Sequence, residues 1–225
     1  MKREFLTTGD GSVTIHLPDW NEQYHSKHGA INEALHVFIE AGIRYFMAEN
    51  SNTLLQPMSI LEVGFGTGLN AFLSCIFSEK NSIAINYTGV EAYPIIASEI
   101  KNLNYATQLD ASKALFEKLH TIEWEVPSEI TTNFTLTKQQ KFFNDISDEN
   151  RFQLIFFDAF GARVQPELWT KAIFQKMYFA LQPRGVLVTY AAKGSVRRAM
   201  QAVGFKVERL PGPPGKREML RAVKN

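Results

Sequence analysis

The segment MSILEVGFGTGLNAFLSCIFSEK, residues 58–80, constrains the fold more than any other part of this chain. It opens with the short, largely apolar run Met58 to Val63. Three glycines follow at 64, 66 and 68, and then a stretch with helical periodicity. Glycine lets a backbone turn sharply and lets a ligand approach it closely. Strand, glycine turn and helix in that order open a βαβ unit. The spacing separates two uses of such loops. A dinucleotide-binding turn wants its third glycine three residues after the second, at position 69. That position is Leu69, so a nicotinamide-dependent oxidoreductase is disfavoured.

The rest of the chain continues the alternation. INYTGVEAY (85–93), NFTLTKQQ (133–140), FQLIFFDAF (152–160) and PRGVLVTYA (183–191) read as strands. Residues 94–109, 111–120, 166–181 and 195–204 read as helices between them. Such alternation builds a doubly wound α/β sheet. Two last strands, FKVERL and EMLRAV, are joined by the short loop around PGPPGKR. A connection that short permits only a hairpin. The sheet is therefore expected to be mostly parallel, with one antiparallel strand near the C-terminus. Ahead of it, TTGDGSVTIHLPDW reads as a hairpin turning at Asp-Gly-Ser, and residues 29–49 read as a helix ended by a polar stretch. Residues 1–56 are expected to form an extension capping the site, and 57–225 the main domain.

No apolar run approaches the ~18 residues of a membrane helix. The single cysteine, Cys75, forbids an internal disulfide, and the N-terminus lacks the apolar core of a signal peptide. The expectation is a cytoplasmic protein with no membrane partner. Net charge is +1, but unevenly spread. From Arg184 onward ten basic residues face two acidic ones, +8, leaving −7 on the remainder. That asymmetry suits a polyanion partner.

Site candidates follow from the topology, because ligands of open α/β sheets bind at the carboxyl ends of the strands. Glu62, Gly64, Phe65, Gly66, Gly68 and Asn70 belong to the glycine loop and its flanks. The pattern G-x-G-x-G preceded by an acid resembles motif I of class I S-adenosylmethionine-dependent methyltransferases. Glu91, followed by Ala92 at the end of the next strand, is placed to accept hydrogen bonds from two ribose hydroxyls. Asp158 ends the following apolar strand and is the candidate catalytic residue.

DGSVTI, YHSKHGAINEALHVFI, EVGFGTGLN, FFDAF with QPELWT, TYAAKGSVRRAM and PGPPGKREML occur in order along nearly the whole chain. Together they resemble the methyltransferase of the MnmC type in its stand-alone form, a family acting on the tRNA wobble uridine. The resemblance implies a class I Rossmann-like fold and S-adenosyl-L-methionine as cofactor, leaving as S-adenosyl-L-homocysteine. It implies methylation of the primary amine of 5-aminomethyl-(2-thio)uridine in the anticodon stem-loop. Bifunctional members carry a further flavin-dependent domain; with the chain ending at Asn225, no FAD is expected, and no metal. Related enzymes usually carry an acid after the third strand. Here Gln140 stands in its place as the adenine partner.

By the same resemblance, WNEQYHSKHGAINE is a cap over the cofactor, with Tyr24 and His25, and Glu33 as well, near the methionine portion. Arg163, Lys193, Arg197, Arg198, Lys216 and Arg217 are placed on the carboxyl rim to contact RNA phosphates. Phe160, Trp169 and Tyr190 are candidates to stack on a base, Trp169 having the stronger claim to the core. Glu218 is expected either to brace Arg217 or to reach the substrate amine. A monomer is expected. Two other readings stay open: a small-molecule amine methyl- or aminopropyltransferase, and an RNA-binding module with a decayed cofactor site.

Overall fold

In the computed structural model, which describes residues 2–50 and 57–225, Glu4–Thr7 and Val13–Leu17 form strands β1 and β2 of an antiparallel hairpin. Thr7 pairs with Val13, so the chain reverses over the predicted turn, where Gly11 has φ +82°. A two-residue strand, β3 (Glu22–Gln23), extends β2. The next helix begins as α1 (Ala30–Ala34), is wound as a π-helix over Leu35–Arg44 and ends as α2 (Tyr45–Glu49). The π winding differs from the expected α-helix. Wider turns bring Ala34, Phe38, Ile39 and Ile43, four and five apart, onto one buried face. Gly42 lets this helix lie close on the sheet: a Cβ there would stand 3.2 Å from Phe156 and 3.3 Å from Val188. The polar stretch expected to end the helix and the expected boundary at 56/57 fall on residues 51–56, outside the described residues.

The main sheet starts with β4 (Met58–Val63), followed by α3 (Leu69–Asn81) and β5 (Ile85–Val90). Short helices α4 (Ala97–Ile100), α5 (Tyr105–Gln108) and α6 (Lys113–Thr121) come next, then β6 (Ser128–Thr131) and β7 (Phe134–Gln139). β8 (Phe152–Phe157), α7 (Lys171–Ala180), β9 (Leu181–Thr189), α8 (Gly194–Gln201), β10 (Phe205–Pro211) and β11 (Glu218–Lys224) complete it. The sheet order is β10-β11-β9-β8-β4-β5-β7-β6. From β4 the chain runs outward through β5 and β7, then returns to lay β8 on the other side of β4. That reversal makes the β4–β8 junction the topological switch point, where a crevice opens.

The expected antiparallel strand is β11, which inserts between β9 and β10 and pairs antiparallel with both. β6 is a second antiparallel strand, hydrogen-bonded to β7. The expected single helix over 94–109 is broken into α4 and α5. Asn104 stands at the break: its amide donates to the carbonyl of Gly11 and its oxygen accepts from the Val13 N–H. The residue is spent on docking the N-terminal hairpin. The helix expected from Pro166 begins as a 3-10 turn (Pro166–Trp169), and α7 starts only after Thr170, whose hydroxyl caps it.

Successive side chains of a strand face opposite sides. On β8, Phe156 joins Phe38, Phe72 and Tyr87 on one face, while Phe157 packs with Trp169, Phe174 and Met177 on the other. Each fully buried phenylalanine contributes about 1.5–3 kcal/mol. Two packed faces are what fix the ends of β4 and β8 side by side. Among the described residues, no helix is long and apolar enough to cross a membrane.

Candidate active site

The glycine loop leaves β4 at Val63. The N–H groups of Gly64 and Phe65 both donate to the Val90 carbonyl at 3.0 Å, tying the loop to the end of β5. Gly64, Gly66 and Gly68 have φ of +100°, +49° and +72°, the left-handed region where a side chain is strained. At Gly66 a Cβ would lie 3.2 Å from the Tyr24 ring. Gly68 caps the start of α3 and stands behind the cavity wall; its role is to turn the chain into the helix. Another glycine serves the same loop. The ring of Phe65 fills the place of a side chain at Gly89, where a Cβ would be 2.4 Å away. A glycine inside the apolar run of β5 was its sequence signal, a mark of close approach.

A cavity of about 1280 Å³ opens over this loop at the switch point. Gly64, Phe65, Gly66, Glu91 and Ala92 line one side of it. The Glu91 carboxylate accepts the Gly66 N–H at 3.0 Å and the Tyr93 N–H at 2.9 Å. A carboxylate offers roughly four acceptor positions, so capacity remains for hydroxyl groups of a ligand. Gln140 lies on the same wall, where its N–H donates to Glu125 at 2.7 Å.

Deeper in, one amide group bridges two acids. Asn70 Nδ2 donates to Glu62 Oε1 at 2.8 Å and to Asp158 Oδ2 at 2.9 Å. Burial, the nearby Glu33 carboxylate and the limits of what Asn70 and Lys216 offset push the Asp158 carboxyl up to about 7. Burial first, and Asp158 second, hold Glu62 well above the carboxylate range. Two acids this close do not ionise independently, and the more enclosed Glu62 retains the proton more firmly. Glu62 Oε2 and Asn70 Oδ1 are buried and make no well-formed hydrogen bond among the described residues, although the Tyr87 hydroxyl lies beside Glu62. Unpaired buried acceptors are costly, and a ligand bringing N–H donors, as the methionine portion of S-adenosylmethionine does, would satisfy them. Those orphans and the glycine cradle fit that cofactor.

The N-terminal segment forms the opposite wall, with Trp20, Glu22, Tyr24 and His25 all facing the cavity. Tyr24 meets Phe160 edge to face at 4.9 Å, and burial raises its hydroxyl pKa to about 12. His25 is half-buried and bonded to Thr14 through Nδ1 at 3.0 Å. Burial lowers its pKa to about 4, so it is neutral and braces the wall. Two arginines pin this segment. Arg3 reaches Glu99 and the Tyr93 carbonyl; Arg163 reaches the carbonyls of Trp20 and Asn21 and the Glu22 carboxylate. Arg163, expected to meet phosphate, is thus engaged within the protein. Arg3 and Glu22 carried no sequence signal.

Phe160 and Tyr190 line the cavity, while Trp169 is buried and donates its indole N–H to the Phe160 carbonyl at 2.7 Å. Lys216 was expected on the carboxyl rim, facing the side of Gly66 and Asp158, as an RNA phosphate contact. Instead it enters the cavity, ion-paired with Glu33, its ammonium 3.9 Å from the Tyr190 ring centre. Glu218 faces neither Arg217 nor the cavity but Arg209, at 3.5 Å, across the β10–β11 hairpin. Lys193, Arg197 and Arg217 stand outside the cavity wall.

A glycine loop after the central strand, an acid ending the next one and a half-buried carboxylate at the switch point define the class of nucleoside-cofactor-dependent group transferases. A family described as S-adenosyl-L-methionine-dependent methyltransferase matches residues 103–225, more than half of the chain, and the chain belongs to that family. It is similar to the tRNA 5-methylaminomethyl-2-thiouridine biosynthesis bifunctional protein MnmC of Leptospira interrogans, 28% identical over 226 residues, covering 96% of this chain and 34% of that protein. The protein of the same name from Hydrogenovibrio crunogenus is 27% identical over 214 residues, covering 89% and 31%. The chain therefore spans about a third of the length of these relatives. Among solved structures, MnmC2 from Aquifex aeolicus superposes with a TM-score of 0.76 at 24% identity, covering 98% of this chain and 69% of that one. Spermidine synthase from Thermotoga maritima shares the fold with a TM-score of 0.54 at 13% identity, covering 100% and 72%.

Proposed function

We propose that this chain methylates the primary amine of 5-aminomethyl-(2-thio)uridine at the wobble position of tRNA, giving the 5-methylaminomethyl form. The observation that carries the reading is Asp158: a half-buried carboxylate of raised pKa, beside the glycine loop, in an acid-lined cavity suited to a cation. The names of the relatives supply the nucleoside, and only their methyltransferase portion is carried over.

Bound S-adenosylmethionine supplies a methyl group on a sulfonium and leaves as S-adenosylhomocysteine. Glu91 would hold its ribose, with Ala92 and Gln140 toward the adenine. Gly64, Phe65 and Gly66 would cradle the rest, and Glu62 and Asn70 would receive the amino group. An alkyl amine is mostly ammonium at neutral pH, with no lone pair to attack with. Asp158 accepts one of its protons, directly or through water, and holds the nitrogen in line. Asn70 fixes the Asp158 carboxylate through its amide. Tyr24, His25 and the segment of residues 17–28 around them act as the cap that keeps water out. Phe160 stacks on the base, while Lys193, Arg197 and Arg217 meet the phosphates of the anticodon stem-loop. The buried free thiol of Cys75 suits the reducing cytoplasm as the place of reaction.

The test is to incubate the protein with methyl-labelled cofactor and tRNA from a strain lacking the activity, then digest the RNA. Label in 5-methylaminomethyl-(2-thio)uridine is the expected result. Label on a small amine and none in RNA would replace this reading with a small-molecule amine transferase.

A further inference from the structure

Lys216 occupies an unusual place for a lysine on a surface loop. Its ammonium lies 3.9 Å from the centre of the Tyr190 ring and is ion-paired with Glu33, a residue only 7% exposed. Tyr190 is held by its own hydroxyl, which donates to the Ala159 carbonyl at 2.8 Å, one residue past Asp158. Glu33 is held through its other oxygen, which accepts the Ser26 N–H at 2.8 Å. A ring face and the Glu33 carboxylate thus hold one primary ammonium, in the cavity that also contains Asp158, whose charge it offsets from a distance. The arrangement recognises an alkylammonium through cation–π attraction and charge-assisted hydrogen bonds.

The loop bearing Lys216 is built for that reach. Gly215 has φ +84°, and a Cβ there would stand 2.1 Å from the His28 ring. Lys216 N–H donates to the Pro213 carbonyl at 2.9 Å, closing a turn. Only glycine at 215 lets the loop pass close enough for the lysine to enter.

We propose that Glu33, the face of Tyr190 and Asp158 form the acceptor's alkylammonium site, and that Lys216 fills it as an internal surrogate until the acceptor amine displaces it. This deepens the amine-methylation reading and rests on it for the identity of the acceptor. The physical reason is charge balance. Carboxylates buried without a partner are costly. Exchanging one primary ammonium for another keeps them compensated before and after the acceptor arrives. A neutral acceptor could not displace the lysine, so the exchange also selects for a cationic amine.

Two arms test this. In the first, wild type and Lys216→Met are titrated with ethylammonium chloride, without RNA, against sodium chloride at equal ionic strength, and binding is followed by saturation-transfer NMR. Ethylammonium should bind the variant, bind wild type roughly tenfold more weakly, and lose its affinity when Glu33→Gln is added. Equal binding to both proteins, or none to the variant, would overturn the proposal. Lys216→Gln repeats the arm should the methionine variant fold poorly, as judged by its melting temperature. In the second arm, Lys216→Met should lower the KM for substrate tRNA and leave cofactor affinity unchanged. A raised KM would make Lys216 a phosphate contact; altered cofactor affinity alone would assign the site to the cofactor. Ethylammonium binding without RNA methylation would retain the cage and reject the tRNA reading; the reverse would reject the cage alone.

Discussion

A Cβ placed on Gly64 would stand 2.7 Å from the carbonyl oxygen of Asp158. The glycine loop and the end of β8 therefore touch backbone to backbone. The contact arises because β4 and β8 are neighbours and both leave the sheet at the same level, where the Asp158 N–H donates to the Val63 carbonyl at 2.9 Å.

Gly64→Ala should damage both partners. Its φ of +100° already strains any side chain, and the Asp158 carbonyl cannot retreat without breaking the bond to Val63. The expected cost is about 1–3 kcal/mol of stability, with weaker cofactor binding. Thermal melting and calorimetric titration measure the two. A variant matching wild type in both would show that the loop is slack.

Asp158→Asn should abolish most activity and yet stabilise the protein. The rate should fall by about 10²–10⁴ with cofactor affinity retained. In wild type, the logarithm of kcat/KM should rise with pH and level off above about 7, as Asp158 of the free enzyme becomes ionised. The variant should lose that limb. For stability the sign is opposite. The unfolded chain releases this proton near 3.8 and the folded one near 7, so the contribution is full at low pH and is lost as pH rises through 7. The melting temperature of the variant should therefore exceed that of wild type at pH 8, with the gap closing toward pH 4.

Glu91→Ala removes the acceptor of the Gly66 N–H as well as the proposed ribose contact. Cofactor affinity should drop by about tenfold or more, while kcat/KM for tRNA at saturating cofactor keeps its rise toward pH 7. An unchanged dissociation constant would remove Glu91 from the cofactor site.

Lys193→Ala with Arg217→Ala should raise the KM for tRNA and leave cofactor binding alone. If both residues meet phosphate, the slope of log affinity against log salt should shrink by roughly 0.7–0.9 per contact. A KM change with an unchanged salt slope would mean that the two act through the fold.

The parts of the site legible in the sequence are those fixed by local chain geometry. Gly64, Gly66 and Gly68 announce a turn only glycine can make, and Glu91 and Asp158 close apolar runs that form strands wherever they are buried. Lys216 and Arg163 were legible only as charges. Both were read as phosphate contacts because a basic residue on the rim is usually solvated; Lys216 turns into the cavity onto Glu33, while Arg163 stays exposed and pairs with Glu22. β6 was missed because its four residues have one buried side chain and gain strand character only from pairing with β7.

Sequence alone thus determined the doubly wound sheet, the glycine turn and the order of acids along the strand ends, since periodicity and glycine conformation act over a few residues. Tertiary structure alone decided which charges meet. Arg3, Glu33, Tyr190 and Lys216 lie far apart in the chain, and only the packing of the N-terminal segment and the β10–β11 loop over one cavity brings them together. Inside that cavity, burial raises the pKa of Asp158 and turns Lys216 from a surface cation into an occupant of the site.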